Sequence, residues 1–270
     1  MKLAFVGGGN MARAIIGGLV ARGTRASDIG VIEPESLTRL ALVSDFGVAT
    51  HEKPGEALAA ARTVVFAVKP QHMREAARAA APHIGGALVI TVAAGVRIED
   101  LSRWLGGHTR VVRAMPNMPA LVHAGVAGLY AAPPVGPADR EAAESLLSSV
   151  GAALWFEAEG DLDAVTAVSG SGPAYVFYAI EALEEAARSL GLAEGAARSL
   201  ALWTFVGAAK LAVERGEDPA RLRAQVTSRG GTTERALQVL EEAQVKRHFI
   251  EAVRAACERS RELGADLGKD

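Results

Sequence analysis

Along the first 130 residues, strand-like apolar runs alternate with Ala-rich segments of helical spacing. The runs are KLAFVGG, DIGVIEP, TVVFAVKP, ALVITVAAG and TRVVRAMPN, and Met11 to Arg22 is the first of the helical segments. This alternation predicts a parallel sheet with crossover helices on both faces. GLYAAPPVG adds an edge strand, ended by Pro133, Pro134, Gly136 and Pro137, and ALWFEAEGDLD closes this half. From Asp161 the strand signals stop. Helical patterns cover Ala174 to Leu190, Ala193 to Glu214, Thr233 to Glu242 and Val245 to Leu263. In the first of these, Val176, Ile180, Leu183, Ala187 and Leu190 recur at spacings of three and four, the mark of one buried face. The change of period places a boundary near residue 158. The expected domains are 1–158, α/β with a parallel doubly wound sheet, and 159–270, all-α.

Composition narrows the partners. Half of the 270 residues are apolar, enough for a substantial core. Lys plus Arg number 29 against 31 Asp plus Glu, and neither sign forms a block, so nucleic acid and anionic membranes are not expected partners. A small molecule is. Cys257 is the only cysteine, so no disulfide framework or zinc cluster is expected within one chain, and a reducing compartment fits. Lys2 leads through a short apolar stretch straight into glycines, too short for a signal peptide, and no later apolar run approaches the ~18 residues of a membrane span. The expected location is the cytoplasm.

VGGGNMARA follows the first strand and opens a helix, and Gly7, Gly9 and Ala12 fit the G-x-G-x-x-G/A pattern of dinucleotide binding. Gly7 permits the tight turn, Gly9 lets the backbone approach a pyrophosphate, and Ala12 allows close helix packing. The helix start at Asn10 and Met11 supplies free N–H donors. Such a pattern defines a Rossmann-type N-terminal domain. The acidic residue expected about 20 residues on, at the end of the second strand, is Glu33. A carboxylate there accepts hydrogen bonds from an adenine ribose and repels a 2′-phosphate, which favours NADH over NADPH. Further strand ends carry Val68, Lys69 and Pro70, then Ala93, Ala94 and Gly95, then Asn117; open parallel sheets bind ligands outside those ends.

The helical half is informative through what it lacks. Oxidising an alcohol generally uses a Lys or His base, yet no lysine lies between Lys69 and Lys210, and no two histidines stand at metal-ligand spacing. No metal is expected. Reducing a C=N bond demands less, because an iminium accepts hydride without a strong protein acid; position, a hydrogen bond and an anchor for the rest of the substrate suffice. AVSGSGPAYVF and VTSRGGTTERAL concentrate the hydroxyls and glycines that provide these. In the second stretch, Thr232 or Thr233 can cap the following helix. Alternatively, Gly230 and Gly231 expose amides that suit a carboxylate.

The chain resembles the pyrroline-5-carboxylate reductase family at GGGNMARAIIGGL, FAVKPQ, AAGV, RAMPNMPALV, VSGSGPAYVF and, most specifically, VTSRGGTTERALQVLE. The resemblance implies reduction of (S)-1-pyrroline-5-carboxylate to L-proline by hydride from NADPH or NADH, the last step of proline biosynthesis. It implies Ser228, Gly231 and Thr232 around the substrate carboxylate, with Gly230 in the same loop, and Thr233 near the ring nitrogen as the catalytic contact. Gly7, Gly9, Asn10 and Met11 would hold the pyrophosphate. Lys69 and Pro70 would line the cleft, and Ala93 to Gly95 with Asn117 would lie by the nicotinamide. It further implies homodimers through interleaved C-terminal helices, some gathered into decamers, with each active site completed by the partner's helices. Arg229 stands where many members have Pro, which releases a backbone restraint and adds a charge. Two alternatives remain: a related imine reductase or hydroxy-acid dehydrogenase of this architecture, and a catalytically silent dinucleotide-binding regulator.

Overall fold

The computed structural model describes residues 2–269, the side chain of Glu56 excepted. The chain opens with β1 (Leu3–Val6), α1 (Asn10–Ala21), β2 (Ile29–Ile32), α2 (Ser36–Phe46), β3 (Ala49–His51), α3 (Glu56–Ala59) and β4 (Thr63–Phe66). It continues with α4 (Pro70–Ile84), β5 (Leu88–Thr91), α5 (Ile98–Trp104), β6 (Val111–Met115), β7 (Gly125–Ala131), α6 (Pro137–Ser148) and β8 (Gly151–Trp155). These strands form one sheet in the order β3-β2-β1-β4-β5-β6-β7-β8. The order reverses between β1 and β4, the crevice where open α/β sheets bind ligands.

Interior strands are buried along nearly their whole length, whereas edge strand β8 alternates between half-buried and exposed. Both faces of the sheet carry a core. Phe5, Val31, Val65, Ile90 and Val112 pack on one face with Ile15 of α1 and Leu147 of α6. Their strand neighbours Ala4, Val6, Val64, Phe66 and Val89 pack on the other with Met73 of α4 and Leu101 of α5. Each large side chain fully buried in this way stabilises the fold by about 1.5–3 kcal/mol.

Two features correct the sequence reading. The GLYAAPPVG strand is not an edge: β7 lies between β6 and β8. It runs antiparallel to β6 and parallel to β8. Connection length decides both, since residues 116–124 are too few for a crossover, while α6 supplies one between β7 and β8. β3 and a short helix, α10 (Pro219–Gln225), have no counterpart in the hydrophobic pattern, because each is too short to show a period.

After β8, α7 (Asp161–Val165) runs through a π-turn at Thr166–Gly170 into α8 (Gly172–Ser189). Then come α9 (Glu194–Arg215), α10, α11 (Thr232–Glu242) and α12 (Val245–Leu267). The chain forms two compact units: Met1–Ser171 with Ala256–Asp270, and Gly172–Ala255. The second is thus an insertion between α7 and the last turns of α12, whereas the change of hydrophobic period falls earlier, where the strands end. Within it α8, α10 and α11 contain no buried residue, and α9 buries only Ala197 and Ala201. α9 also has the length and overall composition of a membrane span, with 11% of its apolar window buried, although polar and charged residues such as Thr204 and Lys210 interrupt its apolar run.

Candidate active site

The β1–α1 turn is shaped by what a side chain would strike. Gly7 has φ +97°, and a Cβ there would stand 2.7 Å from the Ala67 carbonyl oxygen. At Gly8 a Cβ would stand 2.7 Å from Leu42. At Gly9 nothing lies within 4 Å. The fold therefore demands glycine at Gly7, a side chain at Gly8 would have to displace the Leu42 methyl, and Gly9 leaves open space above the start of α1. The amides of Asn10, Met11 and Ala12 have no acceptor among the described residues, and the first bond of this helix start is Arg13 N–H to the Gly9 carbonyl. Open space over three aligned donors at a helix N-terminus fits a pyrophosphate.

Glu33 follows β2 directly, and its carboxylate accepts from the amides of Gly8 at 2.8 Å and Glu35 at 3.0 Å. It is held against the glycine turn, where the ribose next to the pyrophosphate would lie. Arg39, absent from the sequence reading, donates to the carbonyls of Glu33 at 2.7 Å and Pro34 at 2.6 Å, bracing the same loop from behind. A cavity beside this turn is lined by Gly7, Ile32, Pro34, Val68 and His72 and has the apolar floor an adenosine needs. Lys69 precedes α4, exposed, with Pro70 at the first helical position.

On the far side of the crevice, Ala93 and Gly95 are buried and Ala94 half-buried in the loop after β5. Gly95 has φ +76°, which favours glycine. The Glu159 carboxylate accepts from the Ile98 amide at 2.8 Å, at the N-terminus of α5, and pairs with buried Arg113 at 3.1 Å. This brace escaped the sequence reading, although Arg113 is a lone charge inside an apolar strand. Asn117 is buried, and its side chain donates to the Ser169 carbonyl at 3.1 Å and accepts from the Val126 amide at 2.9 Å. It ties β6, β7 and the π-turn together. The Ser169 hydroxyl donates to the Val165 carbonyl, and at Gly170 a Cβ would stand 2.6 Å from Met115. VSGSG is thus a packed turn as much as a polar one.

In the helical unit, Val226 to Gly231 connects α10 to α11. The helix cap is Gly231, neither Thr232 nor Thr233 as the capping reading expected, and no side chain caps it. Glu234 serves instead by reaching back to accept from the Gly230 amide at 2.7 Å, a capping box displaced by one residue. The Gly231 amide donates to the Ser228 carbonyl, closing a turn through Gly230 at φ +71°. The amides of Thr232, Thr233 and Glu234 and the hydroxyls of Ser228, Thr232 and Thr233 have no partner among the described residues. Thr227 differs, its hydroxyl donating to the Arg223 carbonyl at 2.6 Å. Arg229 is exposed.

A doubly wound sheet with a glycine turn, an acidic residue after β2 and a helical second unit defines a nicotinamide-dinucleotide oxidoreductase. Comparison with known proteins gives the particular kind. Residues 159–263 match the family model for pyrroline-5-carboxylate reductase dimerisation, and residues 2–95 that for NADP oxidoreductase, coenzyme F420-dependent. The pyrroline-5-carboxylate reductase of Pseudomonas aeruginosa is 43% identical over 269 residues, covering 99% of this chain and 98% of the relative. The structure of a pyrroline-5-carboxylate reductase from Coxiella burnetii superposes with a TM-score of 0.93 at 39% identity, covering 97% of this chain and 98% of that one. A Plasmodium falciparum pyrroline carboxylate reductase with NADP bound gives 0.86 at 28% identity, with 98% of each chain covered. The chain belongs to the pyrroline-5-carboxylate reductase family.

Proposed function

We infer that the protein reduces (S)-1-pyrroline-5-carboxylate to L-proline with NADPH or NADH. The observation that carries this reading is the start of α11: three hydroxyls and three amides have no partner among the described residues, in a helical unit with no lysine before Lys210. Ser228, Gly231 and Thr232 hold the substrate carboxylate, Gly230 gives the loop its turn, and the Thr233 amide adds a donor. The Thr233 hydroxyl holds a proton toward the imine nitrogen, so positive character develops at the carbon to be reduced. Gly9, Asn10, Met11 and Ala12 seat the pyrophosphate, Glu33 the adenine ribose, and Val68, Lys69 and Pro70 the wall of the cleft. Ala93, Ala94 and Gly95 border the nicotinamide ring, with Asn117 holding the neighbouring turn in place. When bound, the dinucleotide supplies hydride from its nicotinamide ring.

The protein is a homo-oligomer. Its core unit is a dimer through the C-terminal helices, in which the partner's helical unit completes each cofactor cleft, and larger rings up to decamers are built from such dimers. The apolar side chains exposed along α8 and α9, Phe177, Leu200, Trp203 and Val206 among them, support this arrangement. A single cysteine and a biosynthetic reaction support a cytoplasmic location.

Steady-state oxidation of each cofactor with pyrroline-5-carboxylate, compared with a 2-oxo acid, tests the activity. Turnover is expected with the imine alone. Thr233→Ala is expected to lower kcat/KM by about tenfold or more with cofactor affinity unchanged. An unchanged rate would remove Thr233 from its role.

A further inference from the structure

Only two residues of α12 are buried, Ser260 and Gly264, and with Gly268 they recur every four positions along one helical face. Each lies in the C-terminal part of the first compact unit and meets the N-terminal part of that same unit. The Ser260 hydroxyl donates to the Asp163 carboxylate at 2.7 Å, and both residues are buried. A Cβ on Gly264 would stand 3.2 Å from the Gly95 carbonyl oxygen, and one on Gly95 would stand 3.1 Å from Leu267 and 3.6 Å from the Gly264 nitrogen. A Cβ on Gly268 would stand 2.7 Å from the buried Asp100 carboxylate, and Arg103 donates to the Gly268 carbonyl at 2.9 Å.

The Gly264 contact is between two backbones. Gly95 needs to be glycine for its conformation, but Gly264 does not: it lies in a helix, where glycine weakens the element, and what it secures is close approach. The loop it touches is the one that ends β5. A cavity of about 280 Å³ opens at the same place, walled by Pro70, Ala94 and Gly95 on one side and by Ser260, Leu263 and Leu267 on the other.

We propose that the last turns of α12 form a positioning element for the hydride donor: Gly264 seats the Gly95 carbonyl, the Ser260–Asp163 bond fixes the helix at its height, and the Ala93–Gly95 loop is thereby held at the nicotinamide end of the cleft. The proposal rests on the reading that this loop borders the nicotinamide. None of the α12 residues touches the reacting atoms; each acts through the loop.

The test uses the full-length protein without substrate. Hydrogen exchange reports on the amides of residues 93–98 in the cofactor-free state, and fluorescence titration gives the Kd for NADH or NADPH, whichever binds more tightly. For Gly264→Val, exchange in this segment is expected to rise by about tenfold or more, as local opening no longer works against the helix contact. Cofactor Kd is expected to rise at least about fivefold, with KM for the imine little changed. Gly264→Ala and Ser260→Ala should give the same pattern in weaker form and serve if the valine variant fails to fold. Asp163→Asn, which keeps an acceptor for Ser260, should recover most of the wild-type affinity. Glu262→Ala, on the exposed face, should change nothing. Folded Gly264 variants with wild-type loop exchange and wild-type cofactor Kd would overturn the proposal. Wild-type protein that binds neither dinucleotide would overturn the functional reading instead.

Discussion

Among the three glycines of the β1–α1 turn, space separates the structural from the functional. Gly7→Ala forces a side chain into the Ala67 carbonyl at a positive φ and is expected to destabilise the fold by at least about 1–3 kcal/mol, measured by denaturant unfolding. Gly9→Ala meets nothing within 4 Å and has φ −70°, so its stability should stay within about 0.5 kcal/mol of wild type. Its Cβ would project where the pyrophosphate is seated, and its dinucleotide Kd should rise at least about tenfold. Equal cofactor affinity in Gly9→Ala and wild type would show that the phosphates lie elsewhere. Glu33 yields a second prediction. Its carboxylate is held by two amides and cannot readily swing away from an incoming 2′-phosphate. The ratio of kcat/KM for NADPH over NADH should rise about tenfold or more in Glu33→Ser. A wild-type enzyme that already prefers NADPH strongly would place the 2′-phosphate away from Glu33.

At the scale of elements, the sequence revealed what has a long period or a dense motif. Buried interior strands and helices of three turns or more announce themselves; β3 and α10 do not. The placement of β7 inside the sheet was hidden because proline and glycine after a strand mark its end but not its neighbours. The glycine turn and the Thr-rich helix start were legible because their chemistry is local. Arg39, Glu159, Ser260 and Glu234 were not, since their significance lies in partners that folding brings to them. α11 shows the consequence. Its cap is a glycine, and the Glu234 carboxylate occupies the Gly230 amide, so a negative charge stands close to the proposed seat of the substrate carboxylate. Glu234→Gln keeps an acceptor and removes that charge. KM for the imine should fall or hold while the melting temperature changes by no more than a few degrees, as expected for a change below about 1 kcal/mol. A KM several times higher would mean that the charge itself is needed there. Arg229→Pro, which restores a fixed φ in the same loop, should alter KM more than kcat.

For the whole molecule, the decisive quantity is apolar surface with no cover. Trp203 is 73% exposed, Tyr178 76%, Leu200 56% and Phe177 53%, all on α8 and α9, far more than a stable monomer leaves on two adjoining helices. α9 has the composition of a membrane span, and residues 159–263 match a dimerisation domain; in the dimer proposed above, a second copy would supply the cover that lipid would otherwise supply. In that proposed dimer, burial against the second copy would be part of the folding of the helical unit itself, so subunit association and stability should be one event. Melting temperature should then rise with protein concentration over a hundredfold range, as mass action requires when the folded monomer is unstable. Trp203→Glu should go further, because a carboxylate buried without a partner is costly in such an interface. The variant should sediment as monomer and lose much of its far-ultraviolet helical signal while retaining the sheet. A melting temperature independent of concentration, with Trp203→Glu still oligomeric, would locate the interface on other helices.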